Sequence, residues 1–180
     1  EARFANRKGY SRHAPHARPL YDEADAVAAL SLLWPEPYRR RLEVVPGVAV
    51  TFHRAGHILG SATVEMEIAE AGRRALRVLF SGDLGRYGAP ILPDPEPAPA
   101  ADAVLVECTY GDRAHPAEPP AEALRREVLA AAARGGALLV PAFAIGRTQE
   151  ILFLLRELEG KDLVPRLPVF VDSPMAVDAT

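Results

Sequence analysis

His57 and Asp83 are the residues of this 180-residue chain whose types and setting best suit chemistry. Each lies in a short glycine-bracketed elbow, Gly56-His57-Ile58-Leu59-Gly60-Ser61 and Ser81-Gly82-Asp83-Leu84-Gly85. Each elbow follows an apolar β-type run, residues 48–52 for the first and 76–80 for the second. A histidine after one such run and an aspartate after the other can meet at one end of a sheet. The glycines permit tight turns that a Cβ would resist. An imidazole and a carboxylate converging there suit a divalent metal such as zinc. By spacing alone, two solvated loop residues remain the alternative. His53 and His57 are four apart, but Arg54 stands where the glutamate of an HExxH zinc helix belongs. The segment also reads as strand and turn, so His53 is taken as a strand-face residue.

The elements that must position these side chains fall into two halves. Residues 42–45, 48–52, 62–69 and 74–80 read as consecutive strands. The alternation Val64-Glu65-Met66-Glu67-Ile68 marks a half-buried antiparallel strand. Ala71-Gly72 supplies a hairpin turn. The proline-dense residues 90–101 read as an extended surface loop within one fold. Beyond it the rhythm becomes strand and helix. Buried strands are expected at 103–107, 137–141 and 168–172. Helices are expected at 118–134, with Leu124, Val128, Leu129 and Ala132 inward, and at 146–158. Gly135-Gly136 closes the first of these helices. The class is α/β, an antiparallel part followed by parallel βαβ units. Upstream, residues 1–6 could finish a helix, 8–19 read as loop, and a helix over 22–33 is stopped by Pro35 and Pro37.

Composition narrows the classes. About half the residues are apolar, enough for one sizeable core, and the net charge is −3, so the whole chain is not an electrostatic nucleic-acid binder. Arg3, Arg7, Lys8, Arg12 and Arg18 nevertheless form a basic opening stretch, either a phosphate contact or a solvated loop. His13 and His16 within it have an HxxH spacing but no acidic or cysteine neighbours, and read as solvent-exposed. Cys108 is the only cysteine, which excludes a disulfide framework and a cysteine-rich zinc site. At a strand end it reads as a small buried thiol. No apolar run spans a bilayer and no signal-peptide pattern is present, so a cytoplasmic location without membrane contact is the default.

The wording of the two elbows, AGHILGSA and SGDLGR, resembles the third and fourth metal motifs of the metallo-β-lactamase fold. Glu107-Cys108-Thr109-Tyr110-Gly111-Asp112-Arg113 is similar to the first motif of its β-CASP branch, nucleases acting on nucleic acids. PAFAIGRTQE and VDSPMA resemble that branch further along. The glutamate and Tyr-Gly of ECTYGDR resemble the RNA-processing members, the endonuclease subunit of the cleavage and polyadenylation factor and its prokaryotic relatives.

This resemblance implies a partial αββα sandwich, with residues 1–170 in the metallo-β-lactamase domain and 171–180 beginning the β-CASP cap. It implies two zinc ions in the complete protein, with His57 a terminal ligand to one and Asp83 bridging both. A shared hydroxide would then attack a phosphodiester. Glu107 would orient a histidine from a later motif, the proton donor to the leaving group. Arg147, at the first turn of a helix with unpaired amides, offers a phosphate seat; pairing with Glu150 is the alternative. Ser173, at the cap entrance, would help shape an RNA channel. Asp112 and Arg113 read as a local ion pair.

The chain departs from the family in lacking the HxHxDH motif and the later histidine motifs. It is therefore expected to be an internal fragment that binds zinc poorly and is inactive alone. The leading expectation is a zinc-dependent hydrolase cutting single-stranded RNA, and a homodimer is one assembly it admits. The alternatives are a DNA nuclease or small-molecule hydrolase of the same fold, or a non-catalytic RNA-binding paralogue.

Overall fold

Register, more than strand number, determines what the central sheet can do. In a computed structural model of the chain, which describes residues 2–9 and 16–180, the polypeptide divides into two units, residues 1–37 and 38–180. The first unit holds α1 (Ala2–Lys8) and α2 (Glu23–Leu30). Asp22 caps α2 through a reciprocal box with Asp25, each carboxylate accepting the other's backbone N–H at 3.1 and 2.9 Å. The helix ends before the expected residue 33. The Ser31 hydroxyl and amide both turn back onto the Ala28 carbonyl and tighten the last turn. No residue of α2 is buried. His16 is exposed, as expected, whereas Arg12 and His13 lie outside the described residues.

The second unit is built on a five-stranded sheet in the order β1 (Arg41–Val45), β2 (Val48–Arg54), β3 (Ala62–Ile68), β4 (Leu76–Phe80), β5 (Ala103–Leu105). The first four strands form an antiparallel meander and β5 pairs parallel with β4. This is a mixed α/β arrangement of the expected class. Strand alternation sorts the side chains. One face carries the rows Val50–Met66–Val78–Ala103 and Phe52–Val64–Phe80–Leu105, and the other carries His53, Glu65, Glu67 and Arg77. β4 begins at Leu76 rather than 74; Arg73 closes the preceding turn onto Glu70, and Arg74 pairs with Asp102.

Downstream, α3 (Pro120–Ala133) and α4 (Arg147–Gly160) form where the apolar spacing requires. They pack on each other around Val128, Leu158 and Val164, flanked by Leu124 and Leu155. Ala131 is buried in α3 and Leu129 is exposed, a shift of the inward stripe from the expected set. Gly135, at φ +63°, closes α3 with N–H bonds from Gly135 and Gly136 to the carbonyls of Ala132 and Ala131. A short α5 (Pro174–Asp178) follows.

Three strand expectations are corrected. β5 stops at Leu105 and its residues are exposed. Residues 137–141 and 168–172 join no ladder, so the βαβ units are not completed by parallel pairing in this chain. Leu139 and Phe170 are 92% and 89% exposed. The physical reason lies at β5: a three-residue strand offers too little free edge to template another.

Candidate metal centre

β2, β4 and β5 all run the same way, because two antiparallel steps separate β2 from β4 and β5 is parallel to β4. Their C-terminal ends therefore share one edge of the sheet. The elbows bearing His57 and Asp83 and the turn bearing Glu107 emerge there together.

The first elbow is closed by Ser61. Its hydroxyl accepts the amides of His57 and Ile58 at 2.9 and 3.3 Å, and its carbonyl accepts the Ala55 amide at 3.1 Å. The second elbow docks against the first through the Gly85 amide, which donates to the Ala55 carbonyl at 2.8 Å. Gly82 adopts φ +57°, and a Cβ there would meet the Ala62 carbonyl oxygen at 2.7 Å. A Cβ on Gly85 would lie 1.9 Å from the Gly56 carbonyl oxygen. Backbone touches backbone at both points, so only glycine fits.

This places His57 Nε2 3.8 Å from Asp83 Oδ2, with the two side chains 46% and 75% exposed. Two donors on one tetrahedral zinc stand roughly 3.4 Å apart, given bonds of about 2.0–2.1 Å. The pair thus fits one edge of a single ion's coordination shell after a few tenths of an ångström of closure. Among the described residues, no group of three or more His, Cys, Asp or Glu side chains is arranged to hold a metal. The described residues thus bring two donor side chains together, fewer than a closed metal site needs.

Glu107 is drawn into the same edge by Ser81, whose hydroxyl accepts the Glu107 amide at 3.0 Å. The Glu107 carboxylate accepts the Thr109 amide at 2.8 Å. Its pKa is lowered, first by hydrogen bonds from the Thr109 backbone and side chain, then by the Leu84 amide and the facing His57. The imidazole whose charge acts on it here is that of His57. The same bonds end β5, since the Glu107 amide goes to a side chain instead of a ladder carbonyl.

Arg147 is the first residue of α4, behind Gly146 at φ +83°. Its guanidinium bonds Glu150 at 2.7 Å, and the amides of Arg147 and Thr148 are taken by the Ile145 and Phe143 carbonyls at 3.1 and 3.2 Å. Two of the first-turn donors that the sequence left for a phosphate are therefore occupied, and the guanidinium makes the Glu150 pair that the sequence offered as the alternative. Ser173 caps α5, its hydroxyl accepting the Ala176 amide at 3.3 Å. Asp112 and Arg113 form their ion pair at 3.1 Å. His53 sits on the sheet face with Nε2 3.0 Å from Glu65. Cys108 is exposed, contrary to the buried thiol expected, because the chain turns out of the sheet at Glu107.

Sequence reasoning missed Arg86, which bonds Glu150 at 2.5 Å across 64 residues. Its nearness to Asp83 in SGDLGR was the available signal. No helix among the described residues is long and apolar enough to cross a membrane.

No family model matches the chain. It is 42% identical over 161 residues to ribonuclease TTHA0252 of Thermus thermophilus, covering 88% of this chain and 35% of that protein. It is 36% identical over 157 residues to transcription termination factor FttA of Methanosarcina mazei, covering 84% of this chain and 24% of that one. A third relative, endoribonuclease ysh1 of Schizosaccharomyces pombe, is 34% identical over 160 residues, covering 87% and 20%. The chain thus spans about a third or less of the length of these curated relatives.

Proposed function

The chain belongs to the β-CASP metallo-β-lactamase family of RNA-processing proteins, and from that membership we propose that it forms part of a zinc-dependent endoribonuclease. The observation that carries this reading is the approach of His57 Nε2 to within 3.8 Å of Asp83 Oδ2 at a sheet edge that Glu107 also reaches. Zinc, when bound, supplies Lewis-acid activation of water and of the phosphodiester.

The chain's own residues do the following. His57 offers the Nε2 lone pair and Asp83 a carboxylate, so the pair combines a neutral and an anionic donor, a set zinc accepts. Among the described residues Asp83 pairs with His57 through Oδ2, which leaves its second oxygen for another ion. Glu107 is held ionised well below neutral pH, so it is a poor proton donor there. Its role is to hold an imidazole by charge and orientation. Arg147 contributes a guanidinium for a backbone phosphate, and Ser173 starts the approach to the cap, residues 171–180. The setting is cytoplasmic and the substrate single-stranded RNA. The names of two relatives, ribonuclease and endoribonuclease, favour RNA over DNA or a small molecule.

The test is a polypeptide extended to the relatives' length, assayed with zinc on single-stranded RNA, single-stranded DNA and a thioester. RNA cleavage is expected. Asp83→Asn should lower its rate by at least about 100-fold, the scale lost when a metal centre's anionic ligand is removed. Equal cleavage by wild type and Asp83→Asn, or turnover of the thioester alone, would overturn the reading.

A further inference from the structure

Glu150 is the meeting point of two guanidiniums that come from different elements, the second elbow and the start of α4. Arg86 Nη2 lies 2.5 Å from Oε1 and Arg147 Nη1 lies 2.7 Å from Oε2. Arg86 follows Asp83 by three residues, whereas Arg147 opens α4. The contacts close a ring. The start of α4 lies against the first elbow, since a Cβ on Gly146 would stand 3.1 Å from Ile58 Cγ2. Ile58 adjoins His57, His57 faces Asp83, and Asp83 leads back to Arg86. The two arginines are thereby joined to the His57–Asp83 pair through this series of contacts.

Both guanidiniums are under-used. An arginine has five N–H donors, and among the described residues each of these commits one side-chain bond, to Glu150. Their side chains are 44% and 59% exposed, while Glu150 is 17% exposed. Within this trio the balance is two cations to one anion. Exposed ion pairs are weak, and a phosphate matches the guanidinium fork better than one carboxylate oxygen per arginine does.

We propose that Arg86 and Arg147 form a two-pronged clamp for consecutive RNA backbone phosphates beside the His57–Asp83 edge, with Glu150 as the internal anion that holds the prongs until phosphate displaces it. This rests on the reading of RNA as substrate and adds Arg86 and Glu150 to it. The helix end is not the site, because the Arg147 and Thr148 amides are occupied. What binds is side-chain charge.

The clamp makes a prediction of opposite signs. Binding of the 180-residue chain to a fluorescent single-stranded oligoribonucleotide, and to DNA of the same sequence, is measured over a salt series. Arg86→Ala and Arg147→Ala should each weaken RNA binding about 3–10-fold and reduce the salt slope by about one contact. Arg86→Lys should retain the slope. Glu150→Gln should tighten binding about 2–5-fold, by freeing both prongs. If Glu150 merely braces α4, Glu150→Gln leaves affinity unchanged or lowers it, and the clamp is wrong. Arg86→Ala binding as wild type, with an unchanged circular dichroism spectrum, or a wild-type chain that binds no RNA, overturns it equally. A clamp that holds DNA as tightly as RNA, with the same arginine dependence, would keep the clamp and count against RNA as the chosen substrate.

Discussion

At the scale of single residues, the geometry of the candidate centre depends on atoms that are not there. Gly85 and Gly82 let backbone touch backbone at the elbows, with the Gly56 and Ala62 carbonyls in the space a Cβ would take. Gly85→Ala should therefore cost about 2–3 kcal/mol in urea unfolding, the range for forced backbone displacement. Gly60→Ala is the control. At φ +81° but with open space around it, it should cost about 1 kcal/mol, the strain of the left-handed region alone. Equal losses would show that the elbows do not depend on their close approach. His57, Asp83 and Glu107 were legible in the sequence because each stands alone after an apolar run. Arg86 was not, because its partner comes from a helix 64 residues away.

At the scale of elements, the loop after Asp83 is tied down beside the His57 elbow by Glu96. The Glu96 amide donates to the Arg54 carbonyl at 2.9 Å, and Oε2 lies 3.1 Å from Arg39 and 3.7 Å from His53. Pro93 and Pro95 of the same loop back onto Gly56. The Glu96 pKa is lowered, first by the Arg39 hydrogen bond, and those of Glu67 and Asp102 are lowered by hydrogen bonds from Arg41 and from the Arg77 backbone. A carboxyl whose folded pKa lies below its unfolded value adds stability above that unfolded value and loses it as pH falls through the folded one. Thermal unfolding should therefore be flat at neutral pH and drop below the ordinary glutamate value of 4.5. Glu96→Gln should flatten that acid limb. An unaltered acid limb would remove Glu96 as the tie. The strand rhythm of 42–80 was readable because alternation shows directly in side-chain type. The expected strands at 137–141 and 168–172 were not decided by rhythm, since a strand also needs a neighbour's free edge.

At the scale of the whole molecule, the two donors that the described residues bring together set the limit on metal binding. The 180-residue chain should hold zinc with a Kd of about 10 µM or weaker, far from a closed four-ligand site. Isothermal titration would measure this, and one tightly bound zinc per chain would contradict it. What the sequence by itself determined is local: the two glycine-bracketed elbows, the capped helices, the alternating faces and the family wording of His57, Asp83 and Glu107. These depend on residue type at short spacing, which the linear chain carries in full. Only the tertiary structure decided that β2, β4 and β5 end at one edge. It alone diverted Glu107 out of its strand by way of Ser81, and it alone joined Arg86 to Arg147 through Glu150. Each of these depends on which distant segments share a register or a hydrogen bond, and chain order alone does not specify that.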